Sequence, residues 1–214
     1  MNFSKKIETI VKGHFSEDPT GHDWHHIDRV RNMALLIQEN EGGDKEIVEI
    51  AALLHDISDH KLNGGVLNDN GRASKEILES IDYPSERMEK VIAIVDAVSF
   101  KGAGLEDTDG SIELSIVRDA DRLDAIGAIG IARAFAYGGH KNRPIYEPSI
   151  SSEFHEKFES YANSKSHTIN HFHEKLLLLK NRLRTPTARK IGEHRHKFME
   201  EFLKEFLNDW NLNC

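Results

Sequence analysis

Apolar residues recur at helical spacing along nearly the whole chain, and no stretch alternates with a period of two. Phe3 to Phe15 carries Ile7, Ile10, Val11 and Phe15 on one face. Asp18-Pro19-Thr20-Gly21 breaks that pattern, and Asp23 is placed to cap a helix from Trp24 to about Asn40, ended by Gly42-Gly43. Asp44 caps the next, whose inward positions are Ile47, Ile50, Ala51 and Leu54 and which finishes in His55-Asp56. Beyond the polar, Gly-rich stretch 58–71, a short helix carries Ala73, Ile77, Leu78 and Ile81 and is closed by Tyr83-Pro84. Ser85 opens another, with Met88, Val91, Ile92 and Val95 inward. Residues 99–111 form a second loop, Ile112 to Tyr137 reads as one helix bent near Gly127 and Gly130, and Gly138 to Ser149 forms a third loop.

Two helices fill the last third. Ile169, Phe172, Leu176, Leu179 and Leu183 step by three and four. Thr185-Pro186 then supplies an N-cap with proline at the first helical position, and Ile191, Phe198, Phe202 and Phe206 mark the final helix. The pattern predicts an all-α fold without a dividing linker. We expect one domain over residues 1–214, with its core at about 20–205 and a C-terminal helical pair over 151–210. Loops beyond about 12 residues are uncommon in compact domains unless they serve function. The three here are expected to surround a site.

Composition narrows the function classes. A net charge of -8 argues against a protein that gains its affinity by neutralising duplex phosphates. It leaves room for a small phosphorylated substrate held by a few local cations. Cys214 is the single cysteine, so the 214 residues hold neither a disulfide framework nor a thiolate metal site. No apolar run approaches membrane-spanning length, the opening residues lack a signal-like apolar stretch, and a cytoplasmic location is expected.

Chemistry concentrates at buried helix positions. A buried helix should not end in an imidazole and a carboxylate unless the two are hydrogen-bonded, paired or bound to a cation. Stepping back one turn from Val30 on the preceding helix lands on His26, and Asp121 falls in line with Val117 and Ala128. Three helices thus aim His26, His55, Asp56 and Asp121 inward. Two imidazoles with two carboxylates suit a divalent first-row ion such as Mn, Fe, Co, Ni or Zn. Each position alone has a plainer reading: a satisfied core histidine, or, for Asp119 and Asp124, pairing with Arg118 and Arg122.

His26-x-x-Arg29-Val30, then His55-Asp56, then Ala120-Asp121-Arg122-Leu123 resembles the H…HD…D signature of the HD-domain metal-dependent phosphohydrolase superfamily. Asp23-Trp24-x-His26, Ala51 to Asp56, Asp119 to Gly127 and His171-Phe172-x-x-Lys175-Leu176 extend the likeness to a branch of single-domain bacterial HD hydrolases, over roughly residues 20–205. The resemblance implies a helical bundle with long loops around a central metal site. It also implies His26, His55, Asp56 and Asp121 as the ligands, and His26 is preferred over its neighbour His25. Two-metal members carry further histidines between the HD pair and the last aspartate. Residues 92–100 have none and offer Asp96, so one divalent ion is expected, manganese first and Fe, Co, Ni, Zn or Mg as alternatives. Asp96 then becomes a water-orienting group.

Asp59, one turn beyond His55, is the nearest group to accept a water proton, with a loop aspartate bonding its own backbone as the alternative. Lys61 is the nearby phosphate contact. Arg29 is suited to a phosphate or a ligand carboxylate. Lys175 and Arg195 are expected on the outer phosphates of a polyphosphate, and Tyr137, Tyr146 and Phe100 are available for stacking. The branch resembles enzymes that split (deoxy)nucleoside triphosphates to monophosphate and pyrophosphate. A nucleoside 5′-monophosphate phosphatase and a catalytically weak HD nucleotide sensor are the alternatives, and a homodimer is one option for assembly.

Overall fold

A computed structural model describes residues 2–15, 23–57, 71–98, 107–152 and 166–213, and every regular element among them is helical. The chain divides into two compact units, Met1–Phe100 with Thr108–Asp121, and Lys101–Asp107 with Arg122–Cys214.

The first unit is built from α1 (Phe3–His14), α2 (Trp24–Glu41), α3 (Lys45–Leu54), α4 (Arg72–Ser80), α5 (Ser85–Val98) and most of α6 (Ile112–Asp124). The expected caps set its boundaries. Asp23 Oδ1 accepts the His26 amide at 2.9 Å, and Gly42, at φ 85°, turns the chain out of α2 while its amide bonds Gln38. Asp44 Oδ1 accepts the amides of both Glu46 and Ile47 at the start of α3.

Seven of the ten α3 residues are buried, Ile47, Val48, Ile50, Ala51, Ala52, Leu53 and Leu54. Each large one contributes about 1.5–3 kcal/mol by leaving water, so α3 is fixed along its whole length up to the His-Asp pair. A second fastening lies at its start. Glu46 accepts from the Tyr83 hydroxyl and the Arg87 Nε, while Arg87 also donates to Asp44 at 2.8 Å. On α1 the buried pair is Ile7 and Val11, with Ile10 exposed.

The second unit holds α7 (Gly127–His140), α8 (Thr168–Glu174), a 3₁₀ segment (Leu176–Arg182) and α9 (Pro186–Asn211). Three details differ from the sequence pattern. The helix expected over 112–137 is two helices. α6 stops at Asp124, Ile126 is extended, and Gly127 opens α7 at φ 76°. A Cβ on Gly127 would stand 3.0 Å from Arg195 Cγ, and that same arginine donates to the Leu123 carbonyl left open where α6 ends. Ala128, expected in line with Asp121, lies beyond the break and is exposed.

The helix expected over 169–183 changes type at Lys175, whose φ of -140° interrupts it. A 3₁₀ turn takes three residues, so Leu176 and Leu179 still face inward and the stepping by three is preserved. In α9 the proline start and the Thr185 cap stand as expected. Its buried positions, however, are Ala188, Gly192, His196, Met199 and Leu203, while Phe198 is 44% exposed. Phe202 and Phe206 join a ring ladder that runs from Phe172 to Trp210 along the edge of that stripe.

Candidate metal centre

Four side chains of the first unit converge where α2, the C-terminal end of α3 and α6 present them. His26 follows the α2 cap by three residues, and it is fully buried, as are Ile27, Val30 and Ala34 on the same helix. His55 is the C-cap of α3 and is also buried. Asp56 and Asp121 are half-buried, with 17% and 30% of their side chains exposed. This leaves the centre dry on its imidazole side and accessible on its carboxylate side.

The two Nε2 atoms face each other at 3.2 Å. His26 Nε2 stands 3.2 Å from Asp56 Oδ2 and 3.7 Å from Asp121 Oδ1. His55 Nε2 stands 3.5 Å from Asp56 Oδ1 and 3.8 Å from the same Asp121 oxygen. The tightest group is His26, His55 and Asp56, with one donor atom of each within 4.8 Å of the others. His55 Nδ1 lies 2.8 Å from the Ala52 carbonyl oxygen, which can only accept. The ring proton therefore sits on Nδ1, and the Nε2 lone pair points at His26 and the carboxylates. Two nitrogens and two hard carboxylate oxygens within this span form a donor set for a divalent cation, whose charge would offset the two carboxylates.

The remaining expected residues fall in different places. Asp59 and Lys61 lie outside the described residues, as does Phe100. Arg29 is half-buried on α2, one turn past His26. Asp96 is exposed on α5, where its Oδ1 would lie 3.1 Å from a Cβ on Gly71, at the entry to α4. Lys175 and Arg195 belong to the second unit. Lys175 sits at the junction of α8 and the 3₁₀ segment, and Arg195 is engaged with Leu123 O. Tyr146 packs edge-on against His167, Phe206 and Trp210, which makes it part of the second unit's ring ladder.

Two arginines of α6 carry more structure than their pairing with neighbouring aspartates would give. Arg118 donates to the carbonyls of Thr108 and Ala97, and Arg122 to Asp107 and the Arg182 carbonyl. Asp124 accepts from Arg133 at 2.8 Å. Nothing in the local pattern marks these partners, which lie 10 to 60 residues away along the chain for the two α6 arginines.

The model of the HD domain matches residues 23–126, which include all four converging side chains. YpgQ from Bacillus subtilis strain 168 is 39% identical over 211 residues, covering 96% of this chain and 93% of its own. The chain belongs to the HD superfamily. The crystal structure of an HD-superfamily hydrolase from Bacillus thuringiensis is 40% identical, covers 97% of this chain and 96% of its own, and superposes with a TM-score of 0.74. The structure of B. subtilis YpgQ in complex with ADP is 35% identical over 96% of this chain and 97% of its own, with a TM-score of 0.75. This HD-superfamily hydrolase is accordingly all-α and of the metal-dependent phosphohydrolase type. None of its described helices is long and apolar enough to cross a membrane.

Proposed function

We propose that this HD hydrolase acts on nucleotides, splitting (deoxy)nucleoside triphosphates into monophosphate and pyrophosphate with one divalent ion held by His26, His55, Asp56 and Asp121. The observation that carries the reading is the meeting of these four groups within 3.2–3.8 Å of the paired Nε2 atoms. A nucleotide substrate is supported by the ADP complex of the relative YpgQ. When bound, a divalent cation supplies charge neutralisation for a phosphoryl group and acidifies a water molecule.

The chain's own groups divide the remaining work. Ala52 O holds the His55 ring in one tautomer and orientation. The partly exposed carboxylate side, formed by Asp56 and Asp121, is where a phosphoryl group can enter. In this reading Asp59 accepts the proton of the attacking water, with Asp96 as a water-orienting group, and Lys61 and Arg29 take up phosphate charge. Lys175 serves the outer phosphates. Arg195, engaged at Leu123 O, is the weaker of the two C-terminal candidates.

Product analysis by phosphorus NMR, with each deoxynucleoside triphosphate and the Mn-loaded protein, tests the proposal. Monophosphate with pyrophosphate is the expected outcome. Inorganic phosphate released from nucleoside 5′-monophosphates, with triphosphates untouched, would replace it by the nucleotidase. Absence of turnover with every divalent ion would leave a nucleotide sensor.

A further inference from the structure

Of the four converging groups, Asp121 alone comes from α6, so its place depends on whatever holds that helix in the first unit. His26 and the His55-Asp56 pair sit on α2 and at the end of α3, two elements fixed by extensive apolar burial. α6 also buries Leu114, Ile116, Val117 and Ala120 in the same unit, and polar contacts near both ends of that stretch add to its fastening. Near its start, Glu113 Oε1 accepts the Asp44 amide at 3.0 Å. One turn before Asp121, Arg118 is only 3% exposed and reaches three acceptors. It donates Nη1 to Thr108 O at 3.0 Å, and Nη2 to Ala97 O at 2.7 Å and to Thr108 Oγ1 at 3.4 Å.

The position of these acceptors matters. Ala97 is in the last turn of α5, whose final carbonyls have no partner within the helix and whose dipole favours a cation. Thr108 lies four residues before α6 begins. One buried guanidinium therefore bridges the end of α5 to the approach to α6. Because it does so with donors in a rigid plane, it fixes both the depth and the rotation of its own turn. Residues three apart on a helix lie on the same side, so Arg118 sets the turn from which the Asp121 carboxylate projects.

We infer that Arg118 is a positioning residue for Asp121, holding its carboxylate at the distance from His26 and His55 that cation binding requires. This rests on the proposed binding of a divalent ion by the four groups. Such sites lose function when a group moves by about 0.5 Å, and loss of an outer partner typically costs about tenfold to a hundredfold in metal affinity.

The test is a double-mutant cycle on the full chain, reading Mn(II) affinity from the electron paramagnetic resonance of the free ion and helicity by circular dichroism. Arg118→Met is expected to weaken Mn(II) binding by about tenfold or more with helicity retained. Arg118→Lys, which keeps the charge but cannot hold both carbonyls in one plane, should weaken it less. Asp121→Ala should also weaken binding, and Arg118→Met added to it should cost nothing further, because the arginine acts through that carboxylate. Where Arg118→Met fails to fold, Arg118→Lys is judged in the same cycle. Binding within about twofold of wild type in the Arg118 variants, or losses that multiply in the double variant, overturns the inference. An Asp121→Ala protein that binds Mn(II) as well as wild type overturns the four-group reading too, whereas a weakened Asp121→Ala beside unaffected Arg118 variants removes the arginine's role alone.

Discussion

The Nδ1 of His55 lies 2.8 Å from the carbonyl oxygen of Ala52, three residues earlier on the buried α3 helix. Because Ala52 is fully buried and its carbonyl can only accept, the ring is held with its proton on that side and its lone pair on the other. The helix that carries the HD pair thus also sets the chemical state of its histidine. The His-Asp pair is thus preorganised, and the energy that holds it comes from the apolar burial of α3.

Mn(II) should therefore stabilise the folded chain, and His55→Ala should abolish that effect without unfolding α3. At about a hundredfold excess over its dissociation constant, a ligand of the folded state alone adds about 2.7 kcal/mol. In thermal unfolding with and without Mn(II), wild type should shift upward by several degrees, and the His55→Ala protein should not shift. Turnover should fall in parallel. A His55→Ala protein that keeps both the shift and its turnover would remove His55 from the centre.

Leu53→Ala tests whether α3 burial is what holds the site. Leu53 is fully buried, and truncating a core leucine costs about 2–5 kcal/mol, depending on how far the surroundings relax into the cavity. Urea unfolding should show a lower midpoint at unchanged slope. Mn(II) affinity should fall as well, because Ala52 and His55 flank the truncated position. A lowered midpoint with unchanged affinity would mean that the His-Asp pair is held from elsewhere.

Where the chain's signals were local, the sequence could be read to the residue. Asp23, Gly42 and Asp44 bound α2 and α3 because capping is a contact over two to four residues. His26 was visible as a polar residue on an apolar stripe, and the HD resemblance pointed to all four converging side chains. The bend expected near Gly127 is a full break at Ala125–Ile126, and its extent was not legible, since the Arg195 side chain that lies against Gly127 and bonds Leu123 O comes from far along the chain. For α9 the extent is legible from its cap and periodicity, while its buried face is not. The large phenylalanines mark the helix, while its buried face includes Ala188 and Gly192, and the missing side chain of Gly192 makes room for Leu183. In the sequence Arg118 stands only as a pairing partner for a neighbouring aspartate, because nothing in a sequence distinguishes a guanidinium that will meet buried carbonyls.

The Gly127 turn gives a stability prediction free of the site's chemistry. At φ 76° a Cβ is strained by its own backbone, and here it would also press on Arg195 Cβ and Cγ at 3.1 and 3.0 Å. Gly127→Ala should destabilise by about 1–2 kcal/mol, and thermal unfolding should report a drop of about 2–4 °C per kcal/mol for a chain of this size. Gly13→Ala is the control, because no atom lies within 4 Å of a Cβ built there and its backbone carries no positive φ. There the change should be small or favourable, by helix propensity. Equal losses at the two glycines would mean that neither the left-handed turn nor the Arg195 contact resists a side chain at Gly127.

His167 supplies the pH dependence. It is buried, its Nδ1 accepts the Asn170 amide as the cap of α8, and its Nε2 donates to Ile150 O. Both nitrogens are used by the neutral ring, and a proton on Nδ1 would face the Asn170 donor. Burial pulls its pKa below the ordinary 6.5, against the opposing pull of Ile150 O, Glu174 and Glu147, with His173 adding to the depression. As the pH falls through 6.5 the unfolded chain takes up a proton that the folded chain does not, so stability is full above that value and declines below it until the folded pKa is reached. His167→Asn keeps a capping oxygen at the same position and removes the titration. Urea midpoints measured from pH 7.5 to 5 should therefore fall more steeply for wild type than for His167→Asn below about pH 6.5. Parallel curves would mean that other groups carry the acid sensitivity of this unit, and that the α8 cap survives protonation of the ring.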